Sequence, residues 1–410
     1  MKAIIYTLLI LSVFMIQSCE SKPGKPALPS DPVSFSPGSF GYDLQFLQNY
    51  DSGLIVLGKT PVQIIVSPKY QAKVFTSTLA GDSGRSFGWV HYKAFDGTPD
   101  AHMNAYGGEN RLWLGPEGGK FSLFFSPGAK MEFASWKTPA AFDTESWTVK
   151  ERSGATVTLE KQLALKNYAG TELKGFIKRK ITVLSRTIIS ALLNSVLDSS
   201  LAVVGYSTEN TILNQGMIPW TAVTGMPCIW MLDMFPPSDS TTVVIPFTKD
   251  IKNSKPATTN YFGEIPDSRI KIKADVLFFK TDGKMRGKLG MHPGAALSVA
   301  GSYDAIHRVL TIALFDIDQS ASYLNQEWIT TKPPFSGDAV NSYNDGPLAD
   351  GSQMGPFYEI ESVSPAAFLK PGEKLSHKHC VFHFSGTEDQ LNGLTQKLLG
   401  VSIRDIKTAF

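Results

Sequence analysis

The sequence predicts a large all-β domain, a sandwich or barrel of antiparallel strands, with one short helix near the C-terminus. Three observations carry this. Short runs of β-branched and aromatic residues, several of them alternating with polar ones, recur along the chain. Turn sequences such as Asp282-Gly283, Asn344-Asp345-Gly346 and Pro371-Gly372 separate them. One stretch, Glu388–Leu399, carries Leu391, Leu394 and Leu398 at helical spacing, with Thr387 placed to cap its start and Gly400 its end.

Taken in order, the chain begins with Lys2 and an apolar run over residues 3–16, broken only by Thr7 and Ser12. That length suits a signal-peptide core and is too short to span a bilayer comfortably. It ends in Ile16-Gln17-Ser18-Cys19, a loose lipobox with a small residue before the cysteine. The reading is a lipoprotein signal peptide over 1–18, with Cys19 as the lipidated residue. An ordinary cleaved signal peptide with an incidental cysteine, or an uncleaved anchor, is the competing reading. Residues 19–38 are rich in Pro, Ser, Gly and Lys, too polar to fold, and read as a tether. The expected location is therefore the cell envelope, lipid-anchored, on the periplasmic face of the outer membrane or on that membrane.

The body, residues 39–410, has no Pro/Ser-rich break or charge run and is read as one domain. The whole chain is 42% hydrophobic and 11% aromatic, enough to bury a full core. Its net charge of +2 and the lack of any basic run argue against a nucleic-acid partner. No second apolar run is long enough to cross a membrane, so attachment rests on the lipid alone. Strands are expected at 62–66, 121–125, 157–159, 241–245, 276–279 and 309–315. Cys228 and Cys380 both sit in apolar surroundings, where a disulfide and two buried thiols are equally open.

Two regions carry candidate chemistry. In residues 102–119, glycines flank His102, Asn104, Glu109, Asn110, Arg111, Trp113 and Glu117. Planar donors with an indole face suit a polyhydroxylated ring, through forked hydrogen bonds and stacking. A structural turn with Arg111 paired to Glu109 or Glu117 is the plain alternative. In residues 357–363, strand alternation puts Glu359 and Glu361 on one face, roughly 6.6 Å apart. After a turn at 369–373, His377, His379 and His383 share a face of the next strand. Read as a hairpin, this sets two carboxylates beside several imidazoles. Proton transfer on a sugar, a weaker divalent-metal site using His377 and His379, and a solvated sheet face all remain open. An inverting-glycosidase pair is discounted, since neighbours on one strand cannot flank a bond.

Asp345, in a loop expected over 341–347, is placed to reach over a cavity, though an Asx turn explains it equally well. The stretch 280–288 reads as a hairpin turn with a solvated far side. Trp220 and Trp230 read as core.

The C-terminal region resembles the end of the aldose 1-epimerase (galactose mutarotase) superfamily. The residues that carry the likeness are Glu359-Ile360-Glu361, Ser364-Pro365 and Leu369-Lys370-Pro371-Gly372-Glu373. Upstream, Gly107-Gly108-Glu109-Asn110-Arg111-Leu112-Trp113 looks like that superfamily's substrate-binding strand. With Gly115-Pro116-Glu117-Gly118-Gly119, the whole mature chain is also similar to a family of secreted bacterial lipoproteins, a likeness that implies no function. The epimerase resemblance implies a large two-sheet antiparallel supersandwich, galactose-mutarotase-like, with a concave sugar-binding face. It implies Arg111 as a substrate ligand and Glu359 or Glu361 as the catalytic base. The region 208–214 lacks the superfamily's histidine, so the acid role falls to His102 or His377. Asn104, Trp113, Glu117 and Asp345 complete the expected binding set. The expected function is acid–base chemistry on a mono- or oligosaccharide without a cofactor; the alternative is a non-catalytic carbohydrate-binding lipoprotein.

Overall fold

The computed structural model describes residues 34–249 and 255–410. The signal peptide, Cys19 and the first part of the tether lie outside the described residues. Residues Phe35–Phe410 form one compact unit. Among the described residues no helix is long and apolar enough to cross a membrane.

A short helix, α1 (Phe40–Gln48), leads into a small antiparallel sheet of β1 (Ile55–Lys59), β2 (Val62–Ser67) and β3 (Lys73–Thr78). Then follow β4 (Arg111–Gly115), β5 (Thr148–Arg152), β6 (Thr156–Lys166), β7 (Glu172–Val183), helix α2 (Arg186–Leu192), β8 (Ala202–Asn214), β9 (Cys228–Phe235) and β10 (Thr241–Pro246). After these come β11 (Ala257–Thr258), β12 (Ile270–Lys273), β13 (Val276–Lys280), β14 (Gly287–Met291), β15 (Val299–Asp304) and β16 (Val309–Phe315). The chain closes with β17 (Val340–Asn344), β18 (Tyr358–Val363), β19 (Lys374–Ser385), α3 (Glu388–Leu399) and α4 (Ile403–Lys407).

Two large antiparallel sheets make the body. One has ten strands in the order β12-β13-β10-β15-β16-β19-β8-β7-β6-β5, the other six in the order β11-β14-β17-β18-β9-β4. This is the two-sheet supersandwich. Strand alternation gives the ten-stranded sheet two different faces. Val381, Ala313, Ile245 and Ile212 turn toward the six-stranded sheet and join the main core. Phe382, Phe384, Ile312 and Val244 turn the other way, under Leu391, Leu394 and Ile406 of α3 and α4. Helix α3 is capped as expected, by a capping box at Thr387 and left-handed Gly400.

Between the sheets runs a buried polar seam. The guanidinium of Arg179, fully buried, donates to the Asn210 side-chain oxygen at 3.0 Å and to the Asn110 carbonyl at 3.2 Å. Asn110 donates in turn to Asp233, whose carboxylate also meets His379 Nε2 at 2.7 Å. Ser362 Oγ lies 2.8 Å from both His379 Nδ1 and His377 Nε2. For neutral rings this order fixes the tautomers: His379 donates to Asp233, so Ser362 donates to His379 and accepts from His377. Serine, histidine and aspartate thus stand in line as in a nucleophilic triad. Ser362 is wholly buried between the sheets, however, so the array braces the fold. A parallel link joins Glu109 to His383 at 3.0 Å and to Ser77 at 2.8 Å.

Several expectations are corrected here. The strands β18 and β19 do not form a hairpin. Both edges of β18 are occupied, by β17 and β9, and the chain crosses at 364–373 into the other sheet, pinned where Asn214 donates to the Leu369 carbonyl at 2.9 Å. Residues 121–125 are an irregular buried segment. Its Leu123 and Phe124 N–H groups go to the Pro116 carbonyl and the Ser122 hydroxyl, so no ladder is needed. Residues 340–344, expected in part as a loop, are strand β17. Cys228 and Cys380 are free thiols. Cys228 packs in the core on the face of β9 that carries Trp230, beside Gln326, and Cys380 on the helix side of the ten-stranded sheet, and burial pushes them up to about 12 and about 11.

The seam sets a pH dependence. Burial, with a smaller contribution from His379, lowers the His377 pKa from 6.5 to about 3. The unfolded chain therefore binds the extra proton across that window, and stability falls as pH drops from 6.5 toward 3. In urea unfolding, His377→Gln should flatten this acid limb by up to about 1.4 kcal/mol per pH unit. An unchanged slope would show that His377 does not stay neutral.

Candidate functional site

The face of the six-stranded sheet turned away from the seam is open and lines a cleft. Arg111 and Trp113 of β4, Trp230, Leu232 and Met234 of β9, Tyr343 of β17, Lys288 of β14 and Glu359 of β18 contribute to its floor. The register explains the grouping. Arg111 stands opposite Leu232, which stands opposite Glu361; Glu359 stands opposite Tyr343, which stands opposite Lys288. Left-handed Gly107 delivers the chain into β4, and a Cβ there would lie 2.2 Å from the Trp89 carbonyl oxygen.

The cleft has two connected chambers. The inner one, about 300 Å³, is walled by His102, Phe133, Trp136, Trp328 and Phe357 above the floor. The outer one, about 570 Å³, shares Glu117, Phe262, Arg286, Lys288, Trp328 and Tyr343 with it and adds Tyr261, Gln326 and Asp345.

The floor holds two carboxylate–cation pairs on aromatic rings. Arg111 donates to Glu359 Oε1 at 2.7 Å, with its guanidinium 4.9 Å from the Trp113 ring. Lys288 Nζ donates to Glu361 Oε2 at 3.0 Å and sits 4.6 Å from the Trp230 ring, while the Trp230 indole N–H donates to the same oxygen at 2.8 Å. Burial holds the Glu359 carboxyl above the ordinary range; the Glu361 charge adds to this, and Arg111 and Lys288 oppose it. Burial raises Glu117 as well. For Lys288 burial disfavours the charge, but Glu361, Glu117 and Glu359 outweigh it and raise its pKa. Three buried polar atoms here lack a protein partner: Glu361 Oε1, Arg111 Nε and Trp136 Nε1.

Of the residues singled out in the sequence, Arg111, Trp113, Glu117, Glu359 and His102 meet at the inner chamber. His102 Nδ1 lies 2.6 Å from the Trp136 carbonyl oxygen and its ring stacks on Phe133. Glu361 lies beneath, fully buried. Asp345 lines the outer chamber, but its carboxylate accepts from the Tyr343 hydroxyl at 3.0 Å and the Gly355 N–H at 2.8 Å, so it fastens a loop. Asn104 is away from the cleft, donating to Asp143 at 2.8 Å. His377 and His379 lie in the seam, so the pairing of these imidazoles with Glu359 and Glu361 does not form. The metal set built on that pairing fails for the same reason, and among the described residues no group of three or more His, Cys, Asp or Glu gathers to hold an ion.

Lys288, Arg286 and Trp230 were missed as site residues. Trp230 is buried, as a core residue would be, yet it forms floor. Lys288 lies in β14 and Arg286 just ahead of it, and that two-residue spacing was a signal that both turn to one side. Swapping Lys288 for Met leaves Glu361 buried without a cation. We expect Lys288→Met to cost about 3–5 kcal/mol in denaturant unfolding, and Lys288→Met with Glu361→Gln to recover most of it. Equal losses in both would contradict the pairing.

Fold and cleft together define a two-sheet β-supersandwich with an open, aromatic-lined charged face. The chain is similar to several solved structures. The Slr1438 protein from Synechocystis is 12% identical, with a TM-score of 0.50, covering 81% of this chain and 96% of its own. A galactose mutarotase-like protein from Lactobacillus casei is 12% identical, with a TM-score of 0.48, covering 81% and 100%. A galactose mutarotase related enzyme from Lactobacillus acidophilus is 8% identical, with a TM-score of 0.44, covering 82% and 98%. No curated protein matches in sequence. Residues 38–410 match a family of unknown function, DUF6786, and the chain belongs to that family.

Proposed function

We propose that the protein binds a saccharide in this cleft and moves a proton on it, with Glu359 as the group that takes or gives that proton. One observation carries the reading. Glu359 is a buried carboxylate at the wall of an aromatic cavity, with its pKa lifted toward neutrality and a guanidinium holding its orientation. A general acid or base works best with a pKa near the working pH, and burial supplies that shift. Phe133 and Phe262 keep exposed ring surface in the lining for a sugar ring, and Arg111 Nε has no protein partner. His102, on the same wall, is the candidate partner for a second proton transfer.

A second reading has its own support. Arg111 occupies Glu359, and no histidine hydrogen-bonds to either floor carboxylate. A non-catalytic carbohydrate-binding protein needs nothing more than this. In either case we place the protein at the cell envelope, tethered by lipid on Cys19, on the strength of its first 38 residues.

Glu359→Gln separates the two readings. Against a saccharide that the wild type converts, the variant should lose at least about 100-fold in turnover while still binding. The wild-type rate should turn over with pH at a limb above the ordinary glutamate value of about 4.3, rising with pH where Glu359 takes the proton and falling where it gives it. Binding without conversion by the wild type would leave the binding reading. For the tether, Cys19→Ser should move the chain from the membrane fraction to the soluble one; retention in membranes would refute lipid attachment there.

A further inference from the structure

The charges of the cleft are not evenly satisfied. In its floor, Arg111 and Lys288 each have a carboxylate. In the outer chamber the acids are also engaged: Asp345 by Tyr343 and Gly355, and Glu327 by Lys332. Glu117, between the chambers, is pushed by burial toward its neutral form. Arg286 differs. Its guanidinium lies 3.9 Å from the Phe262 ring centroid, its Nε donates to the Tyr343 hydroxyl at 3.3 Å, and no carboxylate of the described residues pairs with it. It is a planar cation held flat at the chamber's edge, with its two terminal nitrogens uncommitted. That is the geometry that meets a carboxylate or sulfate through forked hydrogen bonds.

The dimensions point the same way. The inner chamber holds the Glu359 carboxyl, while the larger outer chamber does not reach it. Phe262 and Trp328 line both. A ligand confined to the inner chamber would leave the greater volume unused, and Arg286, which lines both chambers, stands where they meet.

We propose that the outer chamber is a second saccharide subsite, so that the cleft takes an acidic oligosaccharide: the sugar at Glu359 lies inside, and its neighbour presents an anionic group to Arg286 beside Phe262. This rests on the saccharide reading of the inner chamber and narrows it. The anionic group is a uronate carboxylate or a sulfate ester, two sources of the same chemistry.

The test is calorimetric titration of the full chain with mono-, di- and tetrasaccharides, each as the neutral parent, the uronate form and the sulfated form. Acidic oligosaccharides should bind at least tenfold more tightly than neutral parents of equal length, and the uronate and sulfate arms identify which anion is preferred. Arg286→Gln should bring the acidic ligands down to the affinity of their parents, and Phe262→Ala should abolish the gain from monosaccharide to tetrasaccharide. Acidic and neutral ligands binding alike, or an Arg286→Gln protein indistinguishable from wild type, would overturn the proposal while leaving the inner site intact. No saccharide binding in any arm would overturn the inner-site reading and this one together. Because Arg286 is exposed at the rim, its replacement leaves the core untouched.

Discussion

Two acidic side chains at alternate positions of one central strand are the constraint around which this protein is built. Glu359 and Glu361 must point the same way, and both are buried. Unpaired, each would cost several kcal/mol or give up its charge. The sheet answers with a cation from each side of the strand, Arg111 from β4 and Lys288 from β14, each laid against an indole. The order β14-β17-β18-β9-β4 is what makes this possible, because it puts one basic strand on either flank of the acidic one. The pairs are unlike. Glu361 is neutralised by an ammonium and an indole N–H and lies under the surface, whereas Glu359 meets a single guanidinium and faces the cavity.

The reverse side of the same strand does a different task. Ser362, next to Glu361 but pointing the other way, is gripped by His377 and His379, and through Asp233 and Asn110 the chain of bonds reaches Arg179 on the ten-stranded sheet. Each member fixes the donor or acceptor role of the next, so the two sheets meet in one register. A site whose floor is a sheet inherits that rigidity. Arg111 is held within reach of Glu359 because its neighbour Asn110 is tied into the seam.

The fold was legible wherever local chemistry decided the outcome. The helix at Glu388–Leu399 had its cap box, leucine spacing and terminal glycine written in one window, and β16 coincides with its apolar run. The shared face of Glu359 and Glu361 followed from alternation alone. What failed was long-range pairing. Nothing within residues 357–385 tells that β18 already has two neighbours, one of them more than a hundred residues upstream, so a turn between two polar strands looked like a hairpin. The imidazoles then fell on the wrong side of a sheet. Lys288 and Arg286 were passed over because a basic pair after a turn usually faces water, and only the register of β14 on β17 brings Lys288 to Glu361. Arg111 was found because a planar donor beside an indole has a recognisable chemistry; its true partner, Glu359, lies 248 residues away.

A crystal structure of the full chain with a saccharide shown by titration to bind puts the central claim to its most direct trial. The account predicts a sugar ring on the open face of the six-stranded sheet, packed on the indole floor, with an oxygen within hydrogen-bond reach of both the Arg111 guanidinium and the Glu359 carboxyl. A saccharide bound anywhere else, with that ion pair undisturbed and its cavity filled by solvent, would contradict it.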